Sequence, residues 1–326
     1  MIIEKQILVE QVGVNWSQSN KTDGNWCALC VTGTGRIIAG NTSNSGIWYS
    51  DDSGAHWTQS NKINSQWRSL CVISTGRIIA GSGSNGGVWY SDDNGVNWTQ
   101  SNKTNGISCA LCVIGTGRII AASDDNKGIW YSDDNGVNWT QSNKTGGTWY
   151  SLCVTSTGRI IAGSSDYGIW YSDDNGTHWT WSNKTNGTWY SLYVTPTGRI
   201  IAGSSGGVWY SDDNGVNWTQ SNKTGGTWYS LCATSTGRII AGSSGGVWYS
   251  DDNGVNWAQS NKVTLNWYAL CVTSTGRAIA GSGGIWYSDP VTELLECYTS
   301  KPLTGKQAKE LVQQCKAYVQ ALKNGN

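Results

Sequence analysis

Phenylalanine is absent from this chain of 326 residues, proline occurs three times, and only 13% of residues carry a charge. Soluble domains usually carry about a quarter charged residues. Such gaps beside 21 Trp, 15 Tyr and 43 Gly point to one short unit copied many times. Net charge is zero, so no long-range field draws the chain to nucleic acid or an anionic membrane surface. No apolar run approaches the roughly 20 residues a spanning helix needs. The opening MIIEKQILVEQ carries acids where a signal peptide has its apolar core. The expectation is a cytoplasmic protein, or a secreted one if a leader was removed.

Glutamate is missing from the body of the chain. Glu4, Glu10, Glu293, Glu296 and Glu310 all lie near the termini. Glycosidases need two carboxylates set apart by their environments, so this absence argues against that chemistry. The two histidines, His56 and His178, each follow an Asp-rich turn and read as variant turn residues, not bases.

What is present is periodic. An Asn/His-Trp pair recurs at Trp16, Trp57, Trp98, Trp139, Trp179, Trp218 and Trp257, at steps of 39 to 41 residues. Thr-Gly-Arg recurs at Arg36, Arg77, Arg118, Arg159, Arg199, Arg238 and Arg277. Trp-Tyr-Ser recurs seven times, from Trp48 to Trp286. Within a unit, four short runs of β-branched, aromatic and small residues alternate with Gly, Asn, Asp and Ser clusters. Both faces of the first run carry apolar residues, as in Trp149–Thr155, which fits a blade packed between two others. The expectation is an all-β, seven-bladed propeller of four-stranded antiparallel blades over 1–289, a monomer. The last unit breaks off after Ser288, and Val14–Ser17 at the other end supplies its fourth strand. That clasp removes the open edges a solenoid would leave.

Ten cysteines need a separate reading. Cys30, Cys71, Cys112, Cys153, Cys232 and Cys271 hold one repeat position and read as buried thiols in a reducing compartment. Cys27-x-x-Cys30 and Cys109-x-x-Cys112 have metal-like spacing, but positions i and i+3 of a strand face opposite ways.

The turn between third and fourth strands reads Ser-x-Asp-x-Gly-x-x-Trp, with Asp52, Asp93, Asp134, Asp174, Asp213 and Asp252 at its third position. The carboxylate can take backbone N–H bonds, glycine can hold φ > 0, and the Trp can pack back on the blade. These motifs resemble the Asp-box, or bacterial neuraminidase repeat, family across residues 14–289. The resemblance implies a propeller with a sialidase-like fold and a structural role for those six aspartates. The family spans sialidases, lectins, receptors and assembly factors, so it leaves function open. The Asp-Asp-Asn-Gly run hints at a calcium loop but lacks its distal Glu. No metal, cofactor or catalytic residue is expected.

Variation between copies gathers in the second-to-third and fourth-to-first loops, which share one end of the ring. There lie Trp26, Trp67, Trp149, Trp189, Trp228 and Trp267, beside a lysine in each unit, including Lys144, Lys184 and Lys223. Aromatic planes next to Lys, Asn and Ser suit sugar stacking, so the first expectation is a multivalent, lectin-like glycan binder. The competing reading makes these Trps inter-blade core. A protein-interaction or assembly scaffold is the functional alternative, and a sialidase-like glycoside hydrolase a more distant one. Residues 290–326 leave the repeat. A helix is expected over 304–323, a candidate docking element for a protein partner, with a shorter one over Thr292–Tyr298. Cys297 and Cys315 are the non-repeat cysteine pair.

Overall fold

The computed structural model describes residues 12–289 apart from 44–45, 63, 84–85, 105–107, 124–125, 166 and 185. Of 3–10, 108–109 and 292–299 it describes the backbone alone. Seven antiparallel sheets of four strands each form the blades. Blade 1 runs Trp26–Val31, Ile37–Asn41, Ile47–Ser50, Thr58–Gln59 from the inside outward. Innermost strands of successive blades lie side by side, and that of blade 7 lies against that of blade 1. The chain is a closed seven-bladed propeller, as the repeat predicted.

Blade 7 takes its outermost strand from the other terminus. Ser17 and Gln18 pair with Tyr287 and Trp286. The seventh Ser-to-Trp turn is likewise split: the Gly13 amide donates to Ser288 Oγ at 2.8 Å, and Trp16 Nε1 donates to the Gly13 carbonyl at 3.0 Å.

The core consists of layers between blades. Ile38 and Ile47 of blade 1 pack against Trp67, Ile78, Ala80 and Trp98 of blade 2, and the other interfaces repeat this set. Two-sided burial explains why the innermost strands lack a polar face. At Gly163 an added Cβ would come within 2.8 Å of Trp189 Cβ of the next blade, so glycine there is what lets the two strands approach.

One expectation fails. Thr292–Thr299 is a strand, not a helix, and pairs antiparallel with Ile3–Glu10, Ile3 facing Thr299 and Glu10 facing Thr292. Ring closure brings the chain ends together, so an eight-residue ladder forms at little loop cost and outweighs local helix preference. Residues 3–10 therefore pair with the extension. The helix expected over 304–323, and Cys315, lie outside the described residues.

Candidate functional site

The two rims of the ring are built differently. At the rim of the Thr-Gly-Arg turns, the bonding pattern repeats from blade to blade. Ser50 Oγ donates to Asp52 Oδ1 at 2.9 Å and accepts the Gly54 amide at 2.9 Å. Asp52 also accepts the His56 amide at 2.8 Å and contacts His56 Nδ1 at 2.6 Å. Elsewhere Asn fills that place, as Asn97 does on Asp93. Burial pushes the pKa of Asp93 up, but the Asn97 amide, the Asn97 side chain and the Ser91 hydroxyl outweigh it, so the net shift is downward. His56 and His178 are thus turn residues, each bonded to its own aspartate.

The first Asp of each pair has a different job. Arg36 binds Asp51 bidentately at 2.6 and 2.8 Å, lies 4.2 Å from the Tyr49 ring centroid, and donates to the Asn94 carbonyl of blade 2 at 3.1 Å. The same contacts run round the ring, ending with Arg238 on the Val12 carbonyl and Arg277 on that of Ser53. Each arginine is therefore a staple between neighbouring blades.

At the opposite rim the expected sugar platforms are closed. Trp26, Trp67, Trp149, Trp189, Trp228 and Trp267 are at most 2% exposed. Their rings fill the inter-blade layers, and most indole N–H groups reach back three residues, as Trp228 Nε1 does to the Gly225 carbonyl at 2.8 Å. They have no free face for a ligand. The competing reading, inter-blade core, holds. Lys144, Lys184 and Lys223 stand over Trp170, Trp209 and Trp248 of the following blade, with Nζ 3.5, 3.5 and 3.4 Å from the ring centroids. Burial lowers the pKa of all three, and the indole faces hold their charge. These third-strand Trps are the rings the lysines serve.

A different site emerges at the channel mouth. The innermost strands enclose a cavity of about 200 Å³, lined by residues of all seven blades. Its hydroxyls are committed to the scaffold: Ser151, Ser191 and Ser230 each donate to a carbonyl of the next blade. Of the thiols behind, Cys153 and Cys232 are buried and Cys71 and Cys271 half-buried, and desolvation pushes the latter two up to about 12. Among the described residues, no acidic side chain lines the cavity.

The mouth is set by a β-bulge. In blade 4, Trp149 pairs with Ser164 and Ser151 with Gly163, so Tyr150 is the extra residue. The bulge turns that residue toward the mouth. Blades 1 to 3 carry Cys27, Arg68 and Cys109 at this register position, and blades 4 to 7 carry Tyr150, Tyr190, Tyr229 and Tyr268. The four tyrosines form an arc with ring centroids 5.2, 5.4 and 5.0 Å apart. Burial, then the neighbouring Tyr268 and Tyr190, raise the pKa of Tyr229, so its hydroxyl stays protonated and can donate. Arg68 lines the far side.

Beside Tyr268, the loop before blade 7 adds an apolar edge. Val263 is 57% exposed and Leu265 50%. Leu265 holds φ 75°, where blades 4 to 6 use Gly147, Gly187 and Gly226. A leucine in that region costs about 1–3 kcal/mol in backbone strain. Sequence reading missed the arc. Its signal was the position after the first-strand Trp, or after Ser108 in blade 3, which reads Cys, Arg, Cys and then Tyr four times.

Among the described residues, no group of three His, Cys, Asp or Glu side chains is placed to hold a metal ion. No family model matches this chain, and no curated protein does. Many solved structures share its fold. The chain is similar to the extracellular domain of a one-component system from B. thetaiotaomicron, with a TM-score of 0.68 at 13% identity, covering 84% of this chain and 39% of that one. It thus spans about two fifths of that sensor structure. It is also similar to a streptogramin B lyase (TM-score 0.69, 10% identity, 90% of this chain and 98% of the other). A third similar structure is YCF48 bound to a D1 peptide (TM-score 0.67, 18% identity, 85% of this chain and 95% of the other). At such identities the likeness is one of fold, and the fold is the seven-bladed propeller.

Proposed function

We propose that this chain is a non-catalytic recognition propeller that holds a segment of another protein at the loop-rim mouth of its channel. The carrying observation is the break in symmetry at the bulge position, where an arc of four tyrosines in successive ring contact replaces the Cys, Arg and Cys of the first three blades, and its last member, Tyr268, lines the cavity with Arg68. Tyr and Arg are the side chains protein interfaces favour, and tyrosine gives broad amphipathic contact with few torsions to freeze. The exposed Val263 and Leu265 extend that surface with apolar area. YCF48, a propeller of similar fold, binds a peptide, which supports this class of ligand. Membership of the Asp-box family stands as part of the same proposal, on the strength of the six complete turns. A lectin with one sugar per blade loses its support, because the rings that motivated it are core.

The test is a peptide-display selection on the immobilised full chain, followed by affinity measurement on variants. Arg68→Ser and Tyr229→Ala are expected to weaken selected peptides at least about tenfold each, the loss of one interface hot spot. Peptides that bind both variants as well as the parent chain would sink the reading.

A further inference from the structure

Blade 4, with strands Trp149–Val154, Ile160–Ser164, Ile169–Ser172 and Thr180–Trp181, breaks the repeat at its outer corner. Six blades carry Gln as the second residue of the outermost strand; blade 4 carries Trp181. In blades 2, 3, 5 and 6 that glutamine donates to a carbonyl of the second-to-third loop, as Gln141 does to Lys127 at 3.0 Å. The third-strand Trp donates to the same carbonyl, Trp130 to Lys127 at 2.9 Å. In blade 4, Trp170 keeps its bond to the Tyr167 carbonyl at 2.8 Å, but Trp181 brings no side-chain amide to match the glutamine. It packs against Trp170 in a tilted contact instead, ring centroids 4.8 Å apart and planes at 54°.

Trp181 remains 54% exposed, and Tyr167, from the second-to-third loop, is 47% exposed. Two departures from the repeat, in different elements, thus put two exposed rings at one corner. A glutamine hydrogen bond is exchanged for a ring contact that leaves half of the indole in solvent, and exposed apolar surface beyond what the repeat needs is the mark of a working surface.

The chemistry around the rings narrows the ligand. Lys144 Nζ sits 3.5 Å from the Trp170 centroid and 5.8 Å from that of Tyr167, so the place a ligand cation would take is already filled. The outermost strand has two ladder residues, too short an edge for a peptide strand to join. Two rings also fall far short of the roughly 800 Å² per partner that a stable protein interface buries. What is left is the outer face of one indole beside a phenol and the hydroxyl of the exposed Thr180. We propose that this corner binds a single neutral pyranose ring, its C–H face stacked on Trp181 and its hydroxyls meeting Tyr167 and solvent. This site is separate from the channel mouth.

Indole N–H resonances of the full chain, ¹⁵N-labelled at tryptophan, provide the test. Methyl glycosides of glucose, galactose, mannose and N-acetylglucosamine are titrated to the high-millimolar range that one stacked ring requires. The Trp181 resonance, assigned by its loss in Trp181→Gln, is expected to shift saturably with at least one glycoside. Saturation transfer to that glycoside is expected to vanish in the same variant. Trp181→Gln installs the residue six other blades carry, so the fold is kept. Tyr229→Ala is expected to leave the titration unchanged, which separates this site from the mouth. No shift with any glycoside, equal saturation transfer in Trp181→Gln, or a shift produced by a proline-rich peptide but by no sugar would each overturn the proposal.

Discussion

The turn rim and the loop rim of this ring use the same repeat to opposite ends. At the turn rim one arginine per blade meets the same carboxylate, the same tyrosine and a carbonyl of the next blade, and that bonding pattern recurs round the ring. At the loop rim the register position after the first-strand Trp changes from Cys to Arg to Tyr, and loops carry exposed Tyr167, Val263 and Leu265. A residue that serves two blades at once cannot change without opening an interface. A bulge residue or loop tip can. On the proposed function, the difference places closure and recognition at opposite ends of one molecule.

Breaking closure should have the largest effect. Deleting residues 1–18 removes the outermost strand of blade 7, the buried Val12 and Trp16, and the Arg238 acceptor at Val12. Losing one buried Trp alone costs about 3–5 kcal/mol, a large part of the roughly 5–15 kcal/mol of a typical domain. Thermal unfolding followed by circular dichroism is expected to show no cooperative transition; a transition near that of the full chain would count against the clasp.

Cutting one staple should cost less, and its counterpart on the other rim less again. Arg159→Ala removes a largely exposed ion pair with Asp173, the Asn214 bond and the contact with the Tyr171 ring, for an expected loss of about 1–2 kcal/mol by urea titration. Lysine at that site is expected to recover little, since it cannot span carboxylate and carbonyl in one plane. Lys184→Ala removes a cation over an indole, worth about 0.5–1 kcal/mol. Equal costs at the two rims would erase the contrast.

Acid should act through the turn rim. The aspartates of the Ser-x-Asp turns have pKa values below the ordinary 3.8, because hydrogen bonds outweigh the upward push of burial. A carboxylate with a depressed folded pKa stabilises above its unfolded value and loses that contribution as pH falls through the folded one. Stability is therefore expected to fall below about pH 3.8, with a shallower slope in Asp93→Asn. A parallel slope in the variant would remove Asp93 from the account.

The smallest effect should carry the opposite sign. Leu265→Gly relieves the positive φ and is expected to raise stability by about 0.5–1 kcal/mol while weakening peptide binding at the mouth. Gain of stability with unchanged binding would make the strain purposeless.

Much of this was written in the sequence, in particular residues. The Trp series and the truncated unit after Ser288 gave blade number and closure, because each repeat is short and locally complete. Arg36 and its equivalents stood out as a periodic series, but their contacts, the first Asp of each pair and the next blade, join segments the repeat does not show together. The face of Trp149 was undecidable while both strand faces were apolar. Tyr150 escaped because a bulge is a register event between two strands. Thr292–Thr299 was misjudged because its partner, Ile3–Glu10, lies at the far end of the chain.

Hydrogen–deuterium exchange of the full chain with a display-selected peptide bound tests the separation most directly. The account predicts new protection at the starts of the innermost strands around Tyr150, Tyr190, Tyr229 and Tyr268 and in the Val263–Leu265 loop, with the Asp52 and Asp93 turns unchanged. Protection at those turns with an unaltered mouth would contradict it.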